Sequence, residues 1–372
     1  MHFACTQENL IQGLNMVGHI AGKNVNLPVL GNVLLKTEAG ALKLSATNLE
    51  MAINCTVRGK IEVEGEYSVP AKLFLDYVAL LPTGKVELLL TEEGMEIRSG
   101  EQETVIRGLP ASEFPLLPKL AKDGGVTLPA LELKHALSQV VFAVSTSQSR
   151  PELTGVSCSL EGGTAVLAAT DSYRLAERSL RYTGSSTGRH IVPAKAFLEA
   201  MRILGAYKDE LDVPESANFN FNENQLVFAY GNVELISRLI EGSYPDYHQI
   251  VPQQFKTEAV VARSELQKAV RAASLFSRQG LFDIHLSFDP QTGTCTVSSA
   301  DQGTGKTKTV LKGVVSGQEN DVTLNFRFLS DGLSSMIGEK VRIRQIDSMN
   351  PMLVTAEDVV EQYKYIVMPI RQ

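Results

Sequence analysis

The chain has 372 residues, 44% of them apolar and 21% charged, with 29 Gly and 15 Pro, which excludes disordered and fibrous classes and predicts two or three domains. Its 35 Lys and Arg against 42 Asp and Glu leave a formal charge of −7, so the overall balance does not mark a nucleic-acid binder; such a contact requires basic residues gathered on one face. Cys5, Cys55, Cys158 and Cys295 form no CxxC pair. The start lacks a basic and apolar leader, and no run approaches the ~18 apolar residues of a membrane span; the expectation is a reducing, cytosolic setting with no membrane contact.

In chain order, helical periodicity opens at 8–23, where Leu10, Leu14 and Val17 share a face behind Thr6 and Glu8. Aliphatic and β-branched runs at 33–36 and 42–46 read as strands, followed by a helix at 70–81 and a strand at 86–90. The order then returns with a helix at 132–144, a strand at 164–167, a helix at 193–204 and a strand at 226–230. A third passage has a helix at 263–278, with Leu266, Val270 and Ala273 aligned behind Ser264, a strand ending at Ser298-Ser299-Ala300-Asp301, and a helix at 324–337.

These passages are copies of one unit. Val69-Pro70-Ala71-Lys72-Leu73-Phe74-Leu75 returns 123 residues later as Val192-Pro193-Ala194-Lys195-Ala196-Phe197-Leu198, and Thr47-Asn48-Leu49-Glu50 pairs with Thr170-Asp171-Ser172-Tyr173 at the same offset. Asp171 to Asp301 is 130, and Phe114-Pro115 to Tyr244-Pro245 is again 130. The expected domains are 1–125, 126–254 and 255–372, each with two amphipathic helices packed on antiparallel strands, in an α+β chain.

The six expected helices carry ten basic and six acidic residues, a net +4, while the remainder of the chain is −11. A basic helical face attracts phosphates even in an acidic molecule. Solvated Lys and Arg on good helices would give the same count. Packed at ~10 Å each, six helices in a ring leave a hole of ~9 Å and twelve leave ~28 Å; only the second admits a duplex of ~20 Å, so two chains are needed to encircle DNA.

Catalytic patterns are missing. Gly305-Lys306-Thr307 lacks the earlier glycine of a phosphate loop, since Ala300 stands there, and 306–311 alternates like a strand. The six histidines show no metal-ligand spacing, so no metal, cofactor or enzymatic activity is expected. At the other end, Met368 and Ile370 around Pro369 make an adaptable apolar surface suited to a peptide partner, or a strand completing the core.

The sequence resembles the bacterial sliding clamp family, the beta subunits of DNA polymerase III. The resemblance rests on Leu27-Pro28-Val29-Leu30-Gly31-Asn32, Thr47-Asn48-Leu49-Glu50-Met51, Ala169-Thr170-Asp171-Ser172-Tyr173-Arg174-Leu175-Ala176, Tyr244-Pro245-Asp246-Tyr247 and the ending from Tyr365 to Arg371. It implies three clamp-type domains closing head to tail with a second copy into a ring around double-stranded DNA. It further implies no catalysis, a clamp loader that opens the ring, and tethering of the replicative polymerase and other client proteins.

The same resemblance implies a client-peptide pocket made by Leu153, Thr170, Ser172, Tyr173, Arg174, Leu175, Pro245, Ile250, Ile366, Met368, Pro369, Ile370 and Arg371, with Arg174 and Arg371 orienting the peptide. It makes Lys23, Lys72, Lys195 and Arg202 DNA-facing and places Ile106, Leu275 and Phe276 at the dimer interface. One common form of the family has Gly-His where Ser172-Tyr173 stand, and Gln249 occupies a place that is basic in some members. The alternative is a non-encircling repeat scaffold that binds client peptides; a hydrolase would need a cleft of perturbed residues the sequence does not reveal.

Overall fold

The computed structural model describes residues 1–22, 26–117, 125–207, 213–359 and 362–371. The first passage runs β1 (His2–Thr6), α1 (Gln7–Val17), β2 (Asn32–Glu38), β3 (Ala41–Thr47), β4 (Met51–Val57), β5 (Lys60–Val63), β6 (Glu66–Pro70), α2 (Ala71–Leu80), β7 (Lys85–Leu90), β8 (Met95–Ser99) and β9 (Gln102–Ile106). The second runs β10 (Val126–Pro129), α3 (Ala130–Val140), β11 (Gly155–Glu161), β12 (Thr164–Thr170), β13 (Arg174–Arg181), β14 (Thr183–Gly184), β15 (Gly188–Pro193), α4 (Ala194–Leu204), β16 (Ser216–Phe221), β17 (Gln225–Tyr230) and β18 (Val233–Arg238). The third runs β19 (Thr257–Ala262), α5 (Arg263–Ser274), β20 (Asp283–Asp289), β21 (Thr294–Asp301), β22 (Gly305–Lys312), β23 (Val314–Gly317), β24 (Asn320–Asn325), α6 (Phe326–Ser335), β25 (Lys340–Gln345), β26 (Met352–Ala356) and β27 (Tyr363–Val367). Among the described residues, nine strands and two α-helices thus recur three times in one order.

Each expected helix is present, with ends set by local chemistry. Thr6 caps α1, its Oγ1 accepting from Asn9 N at 3.3 Å, and Asn325 caps α6 by accepting from Arg327 N at 2.9 Å. The first helix ends at Val17, earlier than its periodicity suggests, and α5 ends at Ser274, so Leu275 and Phe276 lie just beyond it. Leu10, Leu14 and Val17 are buried as expected. In α1 a Cβ on Gly13 would stand 2.5 Å from the Val57 side chain of β4, so glycine lets this helix lie close on its sheet.

The repeat extends to the atoms of its turns. Thr47 Oγ1 donates to the Met51 carbonyl at 2.8 Å, and Thr170 Oγ1 donates to the Arg174 carbonyl at 2.6 Å. Leu49 and Ser172, equivalent residues, adopt left-handed backbone with φ of 74° and 78°. Asn48 and Asp171 hold these turns as Asx acceptors, Asn48 for the N–H groups of Glu50 and Met51 and Asp171 for those of Tyr173 and Arg174. In the third copy Asp301 keeps this role towards Gly303 and Thr304.

Two compact units are formed, and the second copy is divided between them. One unit contains the sheets β5-β1-β7-β8-β9 and β14-β10-β16-β17-β18-β4-β3-β2-β6. The other contains β15-β11-β12-β13-β27-β26-β25-β19-β23 and β22-β21-β20-β24. Both nine-stranded sheets therefore join strands of two copies: β4 of the first pairs with β18 of the second, and β13 of the second pairs with β27 of the third. All pairings between named strands are antiparallel, and the helix faces and inward strand residues form the cores.

Candidate functional site

In the second unit, β13 and β27 bring the two halves of the expected peptide pocket into register. Leu175 lies opposite Ile366 and Arg174 opposite Val367, and the Met368 N–H donates to the Tyr173 carbonyl at 2.8 Å. Leu175 and Ile366 belong to a buried cluster with Ala168 and Leu353, against which Tyr247, Val251 and Phe255 pack. These last three side chains escaped the sequence reading; the aromatic density of Tyr244-Pro245-Asp246-Tyr247 was the available signal. The Tyr244 hydroxyl accepts from Thr170 N at 3.0 Å, locking this segment to the hairpin turn. Burial pushes the hydroxyls of Tyr244 and Tyr247 well above the usual phenol range, and Glu177 adds to the effect at Tyr247, so both remain neutral hydrogen-bonding groups.

The expected members divide into floor and rim. Leu153, Thr170, Leu175 and Ile366 are buried, whereas Pro245, Met368, Pro369 and Ile370 are half-buried and Ile250 is 40% exposed. Apolar surface at this rim is what a peptide side chain would cover. Leu153 sits in a single turn whose carbonyl accepts from Ser145 N, beneath the surface. Ile370 N–H donates to the Thr323 carbonyl at 2.8 Å, so the chain end lies along β24, and Arg371 is exposed beyond it. Ser172 and Tyr173 are exposed at the turn, with the Tyr173 ring stacked on Phe328 at 6.1 Å.

Arg174, expected to orient a peptide, is engaged within the chain. Its Nε binds Asp171 at 2.9 Å, Nη1 binds Asp331 at 2.5 Å and Nη2 donates to the Phe142 carbonyl at 2.9 Å, while the guanidinium lies between the rings of Phe142 and Phe328. A guanidinium so engaged fixes the hairpin against α6.

The expected DNA-facing residues also separate. Lys72 and Lys195 are exposed and occupy equivalent places, the second residue of α2 and of α4. Arg327 holds that place in α6. A basic residue in a first turn opposes the helix dipole, so its occurrence in all three copies favours a role outside helix stability. Arg202 is occupied within the chain: it pairs with Glu199 at 2.6 Å and donates to the carbonyls of Asn15 at 3.1 Å and Met16 at 2.6 Å, closing the end of α1. Lys23 lies outside the described residues. The observed helices carry eight basic and six acidic residues, a smaller excess than the longer expected spans gave.

The five-stranded and four-stranded sheets end in strands bonded on one side, β5 and β9 in the first and β22 and β24 in the second. Ile106, expected at an interface, is only 4% exposed and points into the core; its neighbour Val105, alternating to the other face, is 39% exposed. Leu275 is 73% exposed, and Phe276 is half-buried with its ring beside Gly305 at the start of β22. Next to them is a cleft of about 1250 Å³ lined in part by Leu275, Leu281 and Phe282.

Residues 1–118, 127–246 and 248–371 match the family models for the N-terminal, central and C-terminal domains of the DNA polymerase III beta subunit. The beta sliding clamp of Staphylococcus aureus is 29% identical, with 100% of this chain and 99% of that protein covered. The sliding clamp structures from Bacillus subtilis and Pseudomonas aeruginosa superpose with TM-scores of 0.93 and 0.91 at 27% and 26% identity, covering 100% of this chain and 99% and 100% of theirs. With all three domains matched in order and the whole length covered, the chain belongs to the DNA polymerase III beta subunit family, the bacterial sliding clamps.

Proposed function

We propose that this chain, a DNA sliding clamp and processivity factor without catalytic activity of its own, closes head to tail with a second copy around duplex DNA. The observation that carries the reading is the unfinished sheet pattern. The first two copies each end one half-sheet in a strand that pairs with the next copy, β4 with β18 and β13 with β27, and the series leaves the equivalent strands β22 and β9 with one free edge each. A second copy supplies the missing neighbour at both ends, and Ile106 then backs the seam while Val105, Leu275 and Phe276 face it. A loader opens the ring, and the rim of Pro245, Ile250, Met368, Pro369 and Ile370 takes a short apolar client motif from the polymerase and other partners.

Lys72 and Lys195 contact phosphates loosely, since a topological grip needs no tight, salt-sensitive attachment. Among the described residues no helix is long and apolar enough to cross a membrane. Four free, buried cysteines support a reducing cytosolic setting. Three domains with boundaries near residues 125 and 254 remain the working division. The test is retention on circular against linearised DNA after loading, at salt that suppresses phosphate contacts. Retention on circles with loss from linear ends is expected; equal loss from both returns the chain to a non-encircling scaffold.

A further inference from the structure

We infer that Glu177 is a positioning residue of the client-peptide site: it holds Tyr247 from beneath and so fixes the segment 244–255 that carries Pro245 and Ile250. The inference rests on the reading of that rim as a client site and adds what keeps its edge in place.

Residues 244–255 form a strap over one face of the nine-stranded sheet of the second unit, and three aromatic side chains fasten it. At one end the Tyr244 hydroxyl accepts from Thr170 N at 3.0 Å. At the other the Arg344 guanidinium lies 5.6 Å from the centre of the Phe255 ring and is itself bound to Glu258 at 2.8 Å. Tyr247 is the middle fastening. It packs on the cluster of Ala168, Leu175, Leu353 and Ile366, and its ring meets that of Tyr244 edge to face at 6.4 Å. It also opens the single turn Tyr247–Ile250, whose start is capped by Asp246 accepting from His248 N at 3.2 Å. Pro245, two residues before Tyr247, and Ile250, at the end of its turn, therefore follow wherever Tyr247 is held.

Glu177 supplies the hold. Two residues beyond Leu175 on β13, it shares that face of the sheet, lies between Ala168 and Lys364 of the neighbouring strands, and has a side chain only 8% exposed. Lys364 Nζ donates to its Oε1 at 2.8 Å, and the Tyr247 hydroxyl reaches the same carboxylate as a donor. A buried carboxylate is costly unless such donors meet it, and a pair with the half-exposed Lys364 adds little stability.

The repeat shows that the sheet itself does not need this group. At the offset of 123 Glu177 corresponds to Asn54, and at the offset of 130 Tyr247 corresponds to Leu117. Asn54 is satisfied within its sheet, accepting from Ser45 Oγ on the adjacent strand at 2.8 Å. Ala168 stands in the place of Ser45 and has no such donor to offer Glu177. The β4–β18 junction thus joins a self-contained amide to a strap residue without a hydroxyl, whereas the β13–β27 junction joins a carboxylate to a tyrosine. The two positions differ together, as groups that act on each other do.

The test is titration of the full chain with a fluorescent peptide carrying Leu and Phe side chains, alongside thermal melting. Tyr247→Phe removes the donor and Glu177→Leu removes the acceptor, each at nearly constant volume. Each should raise the peptide Kd about fivefold, and Tyr247→Phe should do so without a matching fall in melting temperature. Glu177→Gln keeps an acceptor oxygen and should bind within about twofold of wild type. Combining Tyr247→Phe with Glu177→Leu should weaken binding no further than either alone, because both remove one shared contact. Unchanged affinity in both single variants, or losses that add in the double variant, overturn the inference. A loss confined to Glu177→Leu and matched by its melting also overturns it, since the carboxylate would then serve only the sheet. A wild-type chain that takes no such peptide overturns the client site itself, and this inference with it.

Discussion

Nη1 of Arg174 donates to Oδ2 of Asp331 at 2.5 Å across 157 residues of sequence, joining the β12–β13 turn to helix α6. The same guanidinium holds Asp171 and the Phe142 carbonyl, so its loss strands three acceptors. Arg174→Ala should lower stability by about 3 kcal/mol and Asp331→Ala, whose carboxylate is half exposed, by about 1 kcal/mol. Urea midpoints of the two variants check the order; equal effects would mean that Asp331 is the partner that matters.

Arg202→Ala should cost about 1 kcal/mol by uncapping the carbonyl end of α1, yet leave low-salt affinity for duplex DNA unchanged. Lys72→Ala combined with Lys195→Ala should show the reverse, with unaltered stability and weaker low-salt binding. Fluorescence anisotropy of a labelled duplex together with thermal melting separates the two roles.

Met368→Ala with Ile370→Ala should weaken a client peptide carrying Leu and Phe side chains about tenfold or more while sparing the dimer, because both side chains are half-buried at the rim. Leu175→Ala should instead destabilise the fold by about 3 kcal/mol, since its side chain fills the floor with Ile366. Peptide titration and unfolding curves measured on both variants tell rim from floor.

Burial pushes the thiols of Cys5, Cys55, Cys158 and Cys295 up to about 12. At pH 8 each should be thiolate about a thousandfold less often than a free thiol, and native protein should resist alkylation until it unfolds. The folded pKa values exceed the unfolded ones, so the linked stability is complete below pH 9 and is lost as pH rises towards 12. A thiol labelled at the rate of free cysteine in native protein would contradict the burial of that residue.

The repeat was legible because offsets of 123 and 130 are visible in side-chain identity, and the segments they pair contain the left-handed residues Leu49 and Ser172, a backbone state the residue types did not announce. Helix faces were legible from Leu10, Leu14 and Val17. Strand partners were not: alternation shows which face a residue takes but not whether β13 bonds to β27. The employment of Arg202 was hidden for a related reason, since two of its partners are main-chain carbonyls that no residue type announces. The inward turn of Ile106 was within reach, because the alternation through Glu103, Thr104 and Val105 puts it on the face opposite Val105.

The three kinds of junction in the proposed closed assembly would share one strand geometry but not one permanence. At β4–β18 and β13–β27 the partners belong to a single polypeptide, so a separated edge finds its mate again at an effective concentration of roughly millimolar and dilution does not touch it. The edges of β22 and β9 have no covalent leash: one seam forms only when whole molecules meet, and the other closes within the dimer so made. In the proposed ring, breathing, strand exchange and deliberate opening would therefore be confined to the two places where the polypeptide is interrupted.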